Sequence, residues 1–294
     1  MDRKEILRRV RHIQISSRRA VNDVLAGQYA SVFRGRGIEF DEVREYQPGD
    51  DIRSIDWNVT ARMGRLFVRK YVEERELTVL FAVDASRSGL FGTRVRAKLD
   101  LAAELTGVLA FSAIHNHDKV GLVLFTDRVE RFVRPNKGMR HGMRILLEIE
   151  ATLASPTGRA GTDLAGALEF LRKVLTRRAV IFLISDFQAA DFKRPLQIVS
   201  RRHDVVAVAV TDPRELDLPD LGLVRLRDLE SGQELLLDTG DRATRERFAR
   251  DAWIAAETRK RLLQSIGVDL LELRTDRPYM PELLRLFQMR ERRR

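Results

Sequence analysis

From Leu77 onward the chain alternates short, unbroken apolar runs with longer stretches of helical periodicity. LTVLFAVD (77–84), KVGLVLFT (119–126), AVIFLIS (179–185) and DVVAVAV (204–210) are of strand length. They are continuously apolar rather than alternating, the pattern of strands covered on both faces. Between them the spacing predicts helices over 94–117, 139–153, 163–176 and 192–202. In the first of these, Val95, Leu99, Ala102, Leu109 and Ala113 share one face while Leu101, Leu105 and Val108 form another, so this helix is buried on two sides. RVERFVRP (128–135) pairs back onto the second strand through the Thr126–Asp127 turn. Buried strands separated by helices give an α/β fold, doubly wound around a mostly parallel sheet.

The remainder divides into an excursion and an appendage. LVRLRD and QELLLD, joined by Glu230-Ser231-Gly232, read as a small β-hairpin insertion at about 222–239. A helix over 241–266 ends at Gly267, followed by a last strand (268–274) and a last helix (281–294). Residues 1–75 look different from 76–294 and are expected to be an N-terminal appendage. It opens with a basic amphipathic helix over 2–26 and a loop rich in arginine and glycine. Asp50, after the Pro48-Gly49 turn, then caps a short helix with Ile52, Ile55 and Val59 on one stripe. Tyr46 and Trp57 are expected to pack against the domain, and RLFVRKYV (65–72) reads as a strand leading into the sheet.

Composition narrows the chemistry. The absence of cysteine excludes disulfides, thiolate zinc sites and cysteine nucleophiles. The N-terminus carries charges throughout and no apolar core of a secretory signal, and no apolar run approaches membrane-spanning length, so a cytoplasmic location is expected. A net charge of +10 raises nucleic-acid binding. The excess is almost all arginine, with only eight lysines, scattered along the chain and not interleaved with aromatics, which disfavours that class. Searches for a phosphate-binding Gly-x-x-x-x-Gly-Lys loop, a Gly-x-Ser-x-Gly elbow and a His-Glu-x-x-His pair all fail, and no histidine is linked in sequence to a serine nucleophile. Binding is therefore expected over catalysis.

One stretch carries chemistry. In VDASRSG (83–89), Asp84 leaves a buried strand and hydroxyls follow at Ser86 and Ser88. Alone this is ordinary helix-capping sequence. However, Thr162 lies in the loop before a helix, and Asp186 ends the strand 179–185. If that strand neighbours 77–84, these two carboxylates and three hydroxyls converge at one edge of the sheet. Carboxylates crowded together repel, and hard oxygen donors suit Mg²⁺ or Mn²⁺. HNHD (115–118) falls at a helix end and Asp212 begins a turn, so both are assigned to local structure.

DASRS, GTD and SD, in this order on this strand pattern, resemble the metal-ion-dependent adhesion site of von Willebrand factor A domains. EYQPGDDIRSIDWNVTAR, ahead of the first strand, resembles the signature of the bacterial domain of unknown function 58 family, whose members are typically encoded beside MoxR-type AAA+ ATPases. The resemblance runs from about Arg34 to Asp212, and more loosely to the end. It implies that Asp84, Ser86 and Ser88 ligate Mg²⁺ (or Mn²⁺), with Thr162 and Asp186 reaching the ion directly or through water. A carboxylate from a protein partner, the ATPase or one of its clients, would complete the coordination. Many relatives carry membrane helices near the N-terminus, a feature this sequence does not share. The competing expectations are a Mg²⁺-dependent phosphate-ester hydrolase using Asp84 and a basic nucleic-acid-binding protein.

Overall fold

Each of the four unbroken apolar runs forms a strand of one sheet in the computed structural model. These are β3 (Thr78–Asp84), β4 (Lys119–Phe125), β6 (Val180–Ser185) and β7 (Asp204–Thr211). With β5 (Val129–Asn136) and β10 (Asp269–Arg274) they make a six-stranded sheet of order β10-β7-β6-β3-β4-β5. All pairings are parallel except β4 with β5, which forms the expected hairpin. The chain thus starts in the middle at β3, builds outward to β5, then returns to β3's other flank and builds outward to β10. That reversal between β3 and β6 is the switch point of a doubly wound α/β fold. The structure describes all residues except 1–2, 21–25, 35–41, 53–54, 71–75, 93–95, 155–160, 190, 228–231 and 294.

Alternate residues of the central strand feed two cores. Val79, Phe81 and Val83 face one, and Leu80 and Ala82 the other. The first is covered by α1 (Arg3–Ala20), α2 (Ala26–Arg34), α4 (Lys98–His115), α5 (Met139–Ala154) and α10 (Met280–Arg292). The second is covered by α6 (Leu164–Val174), α7 (Lys193–Arg202) and the end of α9 (Arg242–Ser265). α4 buries residues all round, including both predicted faces, because it is pressed between the sheet and α1 and α5. β8 (Leu223–Arg227) and β9 (Glu234–Asp238) form the predicted hairpin, closed where Thr239 N donates to Gly222 O at 2.7 Å. Of its expected connection, Glu230 and Ser231 lie outside the described residues, as does most of the loop rich in arginine and glycine. Gly267, with φ of 70°, ends α9 as anticipated.

The N-terminal region departs from expectation in four ways. The single helix over 2–26 is two helices, the second formed by AGQYASVFR, whose Tyr29, Val32 and Phe33 are buried at helical spacing. Phe33 lies 5.7 Å from both Phe182 and Phe287, ring centre to ring centre. The region also does not stay together as one appendage over 1–75: residues 1–33 form a compact unit with 77–294, and 34–76 form another. Val10, Ile13 and Ser17 lie one above another along α1 and are buried, with α1 against α4 and α5. Thirdly, the helix of the second unit is α3 (Trp57–Met63), capped by Asp56, whose carboxylate accepts from the backbone of Asn58 and Val59. Asp50 instead accepts from Gln47 N and pairs with Arg44, while Ile52 and Trp57 are exposed. Finally, the strand read at 65–72 does not join the large sheet. β2 (Phe67–Lys70) pairs antiparallel with β1 (Glu42–Glu45) in a two-stranded sheet of its own. Its first residues follow Gly64, a left-handed cap that turns the chain back beside β1.

Candidate functional site

Asp84 ends β3 and Asp186 directly follows β6, and these strands are hydrogen-bonded neighbours. Both carboxylates therefore reach the carboxyl edge of the sheet at the switch point, where open α/β sheets bind ligands. Asp84 is fixed on both oxygens. Oδ1 accepts from Ser86 N at 3.0 Å, and Oδ2 accepts from the Ser185 hydroxyl at 2.7 Å. The turn after β3 brings the Ser86 and Ser88 hydroxyls to 2.9 Å from each other. Ser86 is wholly buried and Ser88 half-buried, so the pair leads from the interior to the mouth of the crevice.

Across the crevice stands a lysine that the sequence analysis passed over. Lys98, in the first turn of α4, is 3% exposed and donates to Asp186 Oδ2 at 2.9 Å and to Glu215 Oε1 at 2.6 Å. A cation at a helix N-terminus opposes the helix dipole, and the two carboxylates offset that cost. Glu215 belongs to α8 (Pro213–Leu216), where its other oxygen accepts from Asp212 N at 2.9 Å. One side chain thus closes the turn after β7 and holds the buried ammonium. Asp212 accepts from Arg214 N and from the Thr275 hydroxyl, so its assignment to turn structure stands. HNHD likewise sits where α4 ends, and Asp118 accepts from Leu77 N.

The electrostatics divide the two aspartates. Burial, reinforced by the charge of Asp186, pushes the Asp84 carboxyl above its ordinary value. Burial acts on Asp186 too, but the charge and hydrogen bond of Lys98 outweigh it and hold that carboxyl below its ordinary value. Burial would lower the Lys98 ammonium, yet Asp186 and Glu215 together raise it. With all four groups ionised, three carboxylates face one ammonium, leaving two negative charges at the crevice. The cavity between Asp84, Ser88, Lys98, Ser185 and Asp186 has a volume of about 20 Å³, room for one water or a monatomic ion.

The backbone is held in an uncommon conformation just beyond Asp186. Phe187 has φ of 56°, a left-handed value costly for a bulky residue. It is retained because Phe187 N donates to Ser185 Oγ, Gln188 N donates to Asp186 Oδ1, and the buried Phe187 ring packs on Phe192. Arg259 of α9 adds a hydrogen bond to Asp186 O at 3.0 Å.

Of the five residues expected at the site, the structure brings Asp84, Ser86, Ser88 and Asp186 together. Thr162 is on the same edge, in the loop before α6. Asp163, which caps α6, donates its N–H to Thr126 O at 2.7 Å, pinning the loop that carries Thr162 to the end of β4, one strand away. Lys98, Ser185 and Glu215 complete the cluster. Among the described residues no group of three or more His, Cys, Asp or Glu side chains is disposed as a metal cage. The donors that remain are Asp84 and two hydroxyls, an oxygen set that suits Mg²⁺ with part of its shell left to water or to a partner.

The family model described as protein of unknown function DUF58 matches residues 42–259. The uncharacterized protein Rv1480 of Mycobacterium tuberculosis (strain ATCC 25618 / H37Rv) is 35% identical over 295 residues, covering 99% of this chain and 92% of its own. The uncharacterized protein MAV169 of Mycobacterium avium is 37% identical over 162 residues, 54% of this chain and 94% of its own. Among solved structures, the conserved hypothetical protein BatB from Bacteroides thetaiotaomicron aligns with 74% of this chain and 100% of its own, at 15% identity and a TM-score of 0.44. The VWA domain of SpRpn10 aligns with 71% and 94%, at 10% identity and a TM-score of 0.38. Among the described residues, no helix is long and apolar enough to cross a membrane.

Proposed function

Since the chain belongs to the DUF58 family, described only as proteins of unknown function, we propose from its site that it is a binding module that captures an acidic residue of a protein partner through Mg²⁺ or Mn²⁺. The ion would be held by Asp84, Ser86 and Ser88. The observation that carries this reading is the 2.9 Å hydroxyl pair beside a buried carboxylate at the switch point. The bound cation would supply a Lewis-acidic position at which a partner carboxylate displaces water. Every other part is played by the chain itself. Ser185 and Ser86 N fix the rotamer of Asp84. Lys98 keeps Asp186 ionised and occupies one of its oxygens, so that Asp186 would act on the ion through water. The two uncompensated negative charges match one divalent cation. The partner, a MoxR-type AAA+ ATPase or one of its clients, is the one implied by the resemblance around Glu45–Arg62.

Thermal unfolding in chelator and across a Mg²⁺ titration tests the metal. A ligand specific to the folded state adds about 2.7 kcal/mol at 100 times its dissociation constant, a rise of several degrees at roughly 2–4 °C per kcal/mol. The rise is expected in the wild type and absent in Asp84→Ala. A wild-type protein indifferent to both Mg²⁺ and Mn²⁺ would remove the metal from the reading. Binding of a purified MoxR-type ATPase, compared with and without chelator, tests the partner. Turnover of generic phosphoesters that disappears in Asp84→Ala would replace the binding module with a hydrolase.

A further inference from the structure

The crevice holds a cation of its own. The Lys98 ammonium donates to carboxylates from two different strand ends, Asp186 after β6 and Glu215 after β7. Its side chain is almost wholly buried, so it has no solvent to swing into. Glu215 is itself fixed, because its other oxygen accepts from Asp212 N at 2.9 Å. The lysine is therefore anchored from two sides before any other cation arrives.

That anchoring falls on the one carboxylate that could enlarge the ion site. Asp84, Ser88 and Asp186 line the same cavity of about 20 Å³, and the Ser88 hydroxyl reaches Asp186. If Asp186 ligated directly, a divalent ion would stand a few ångström from the ammonium, in a crevice with little water to screen the repulsion. Asp186 is thus present but withheld, and the direct donors are Asp84 and the hydroxyls of Ser86 and Ser88. Withholding it affects two common ions unequally. Ca²⁺ takes about six to eight oxygens and binds more tightly as charged ligands are added, whereas Mg²⁺ keeps several waters and makes do with about one or two carboxylates.

Resting on the divalent site proposed above, we propose that Lys98 sets its ion selectivity: by keeping Asp186 from ligating directly, it makes the site one for Mg²⁺ or Mn²⁺ and against Ca²⁺. The lysine does not touch the ion. It acts by deciding how many carboxylates the ion meets.

The test is competition of Mg²⁺ and of Ca²⁺ against Mn²⁺, with free Mn²⁺ read by electron paramagnetic resonance. The full chain is compared as wild type, Lys98→Met and Asp186→Asn, each checked for folding by circular dichroism. The wild type should prefer Mg²⁺ over Ca²⁺ by about tenfold or more. Lys98→Met releases a second carboxylate, so Ca²⁺ should gain more than Mg²⁺ and the preference should shrink by about tenfold. A lysine that served structure alone would, when lost, weaken both ions together and leave the ratio as it was. In Asp186→Asn the preference should stay within about threefold of the wild type, because the carboxylate removed is not a direct ligand. That variant decides the matter if Lys98→Met does not fold. Equal wild-type affinities, an unchanged ratio in Lys98→Met, or a ratio outside that range in Asp186→Asn would each overturn the role of Lys98 while leaving the ion site in place. A wild type that binds no Mn²⁺ would instead remove the site itself, and this role with it.

Discussion

Lys98 decides how the crevice behaves as a set of charges. Its side chain and that of Asp186 are 4% and 6% exposed, so neither charge can fall back on water. Lys98→Met keeps the bulk of the side chain and removes the charge, leaving Asp186 buried, unpaired and close to Asp84. Breaking a buried pair in this way costs about 3–5 kcal/mol. The pH dependence follows from the sign of each shift. In the wild type Asp186 titrates below its ordinary value, so its contribution is fully present above the ordinary value and is lost as pH falls from there through the lowered one. Without Lys98, burial and Asp84 raise Asp186, and its contribution is then present at low pH and lost as pH rises. Denaturant midpoints should therefore separate the two proteins widely at pH 7 and less widely near pH 4. A separation that is the same at both values would mean that Lys98 acts through packing alone. The sequence held a trace of this residue: a lysine in the first turn of a helix that is otherwise apolar needs a compensating anion. Its partners stand 88 and 117 residues away in the chain, a separation that periodicity cannot read.

At the scale of elements, the legible parts are those whose pattern repeats. The four apolar runs, the β4–β5 hairpin, α4 with its two buried faces and the end of α9 at Gly267 follow from runs, spacing and a cap, all local signals. α2 and α3 were misread because a few residues carry them: three buried positions in AGQYASVFR, and a choice between Asp50 and Asp56 as cap that only the backbone geometry resolves. The docking of α1 was invisible because its determinant is an absence. A Cβ built on Gly107 of α4 would lie 2.5 Å from Ile13 Cγ2 and 3.2 Å from Ser17 Oγ, so α1 can rest on α4 only at a position without a side chain. Gly107→Ala should favour α4 itself by about 1 kcal/mol yet destabilise the protein by about 1–3 kcal/mol through overpacking. Ile13→Ala, costly in the wild type, should cost less beside Gly107→Ala, since it removes the clashing methyl. A double-mutant cycle on denaturant midpoints measures that coupling, and strict additivity would place α1 elsewhere.

For the whole molecule, stability is concentrated where strands are covered on both sides. β3, β4 and β6 are buried throughout almost their whole length. The β8–β9 hairpin leaves Leu223, Leu235 and Leu236 largely exposed and pairs with no further strand among those described. A two-stranded sheet is marginal in water. Amide hydrogen exchange should accordingly find the slowest protons in β3 and β6 and fast exchange across β8–β9, and a hairpin as protected as the central strands would point to a partner covering it. The notch at Gly107 carries a consequence for how the chain is made. Ile13 leaves the ribosome roughly ninety residues before Gly107, which at 5–20 residues per second is a wait of about 5–20 s. Throughout that interval α1 has no seat, and Val10 and Ile13 face solvent or whatever chaperone meets the nascent chain. α1 is thus synthesised well before its seat on α4 exists, and a slow translation of α4 would prolong its exposure.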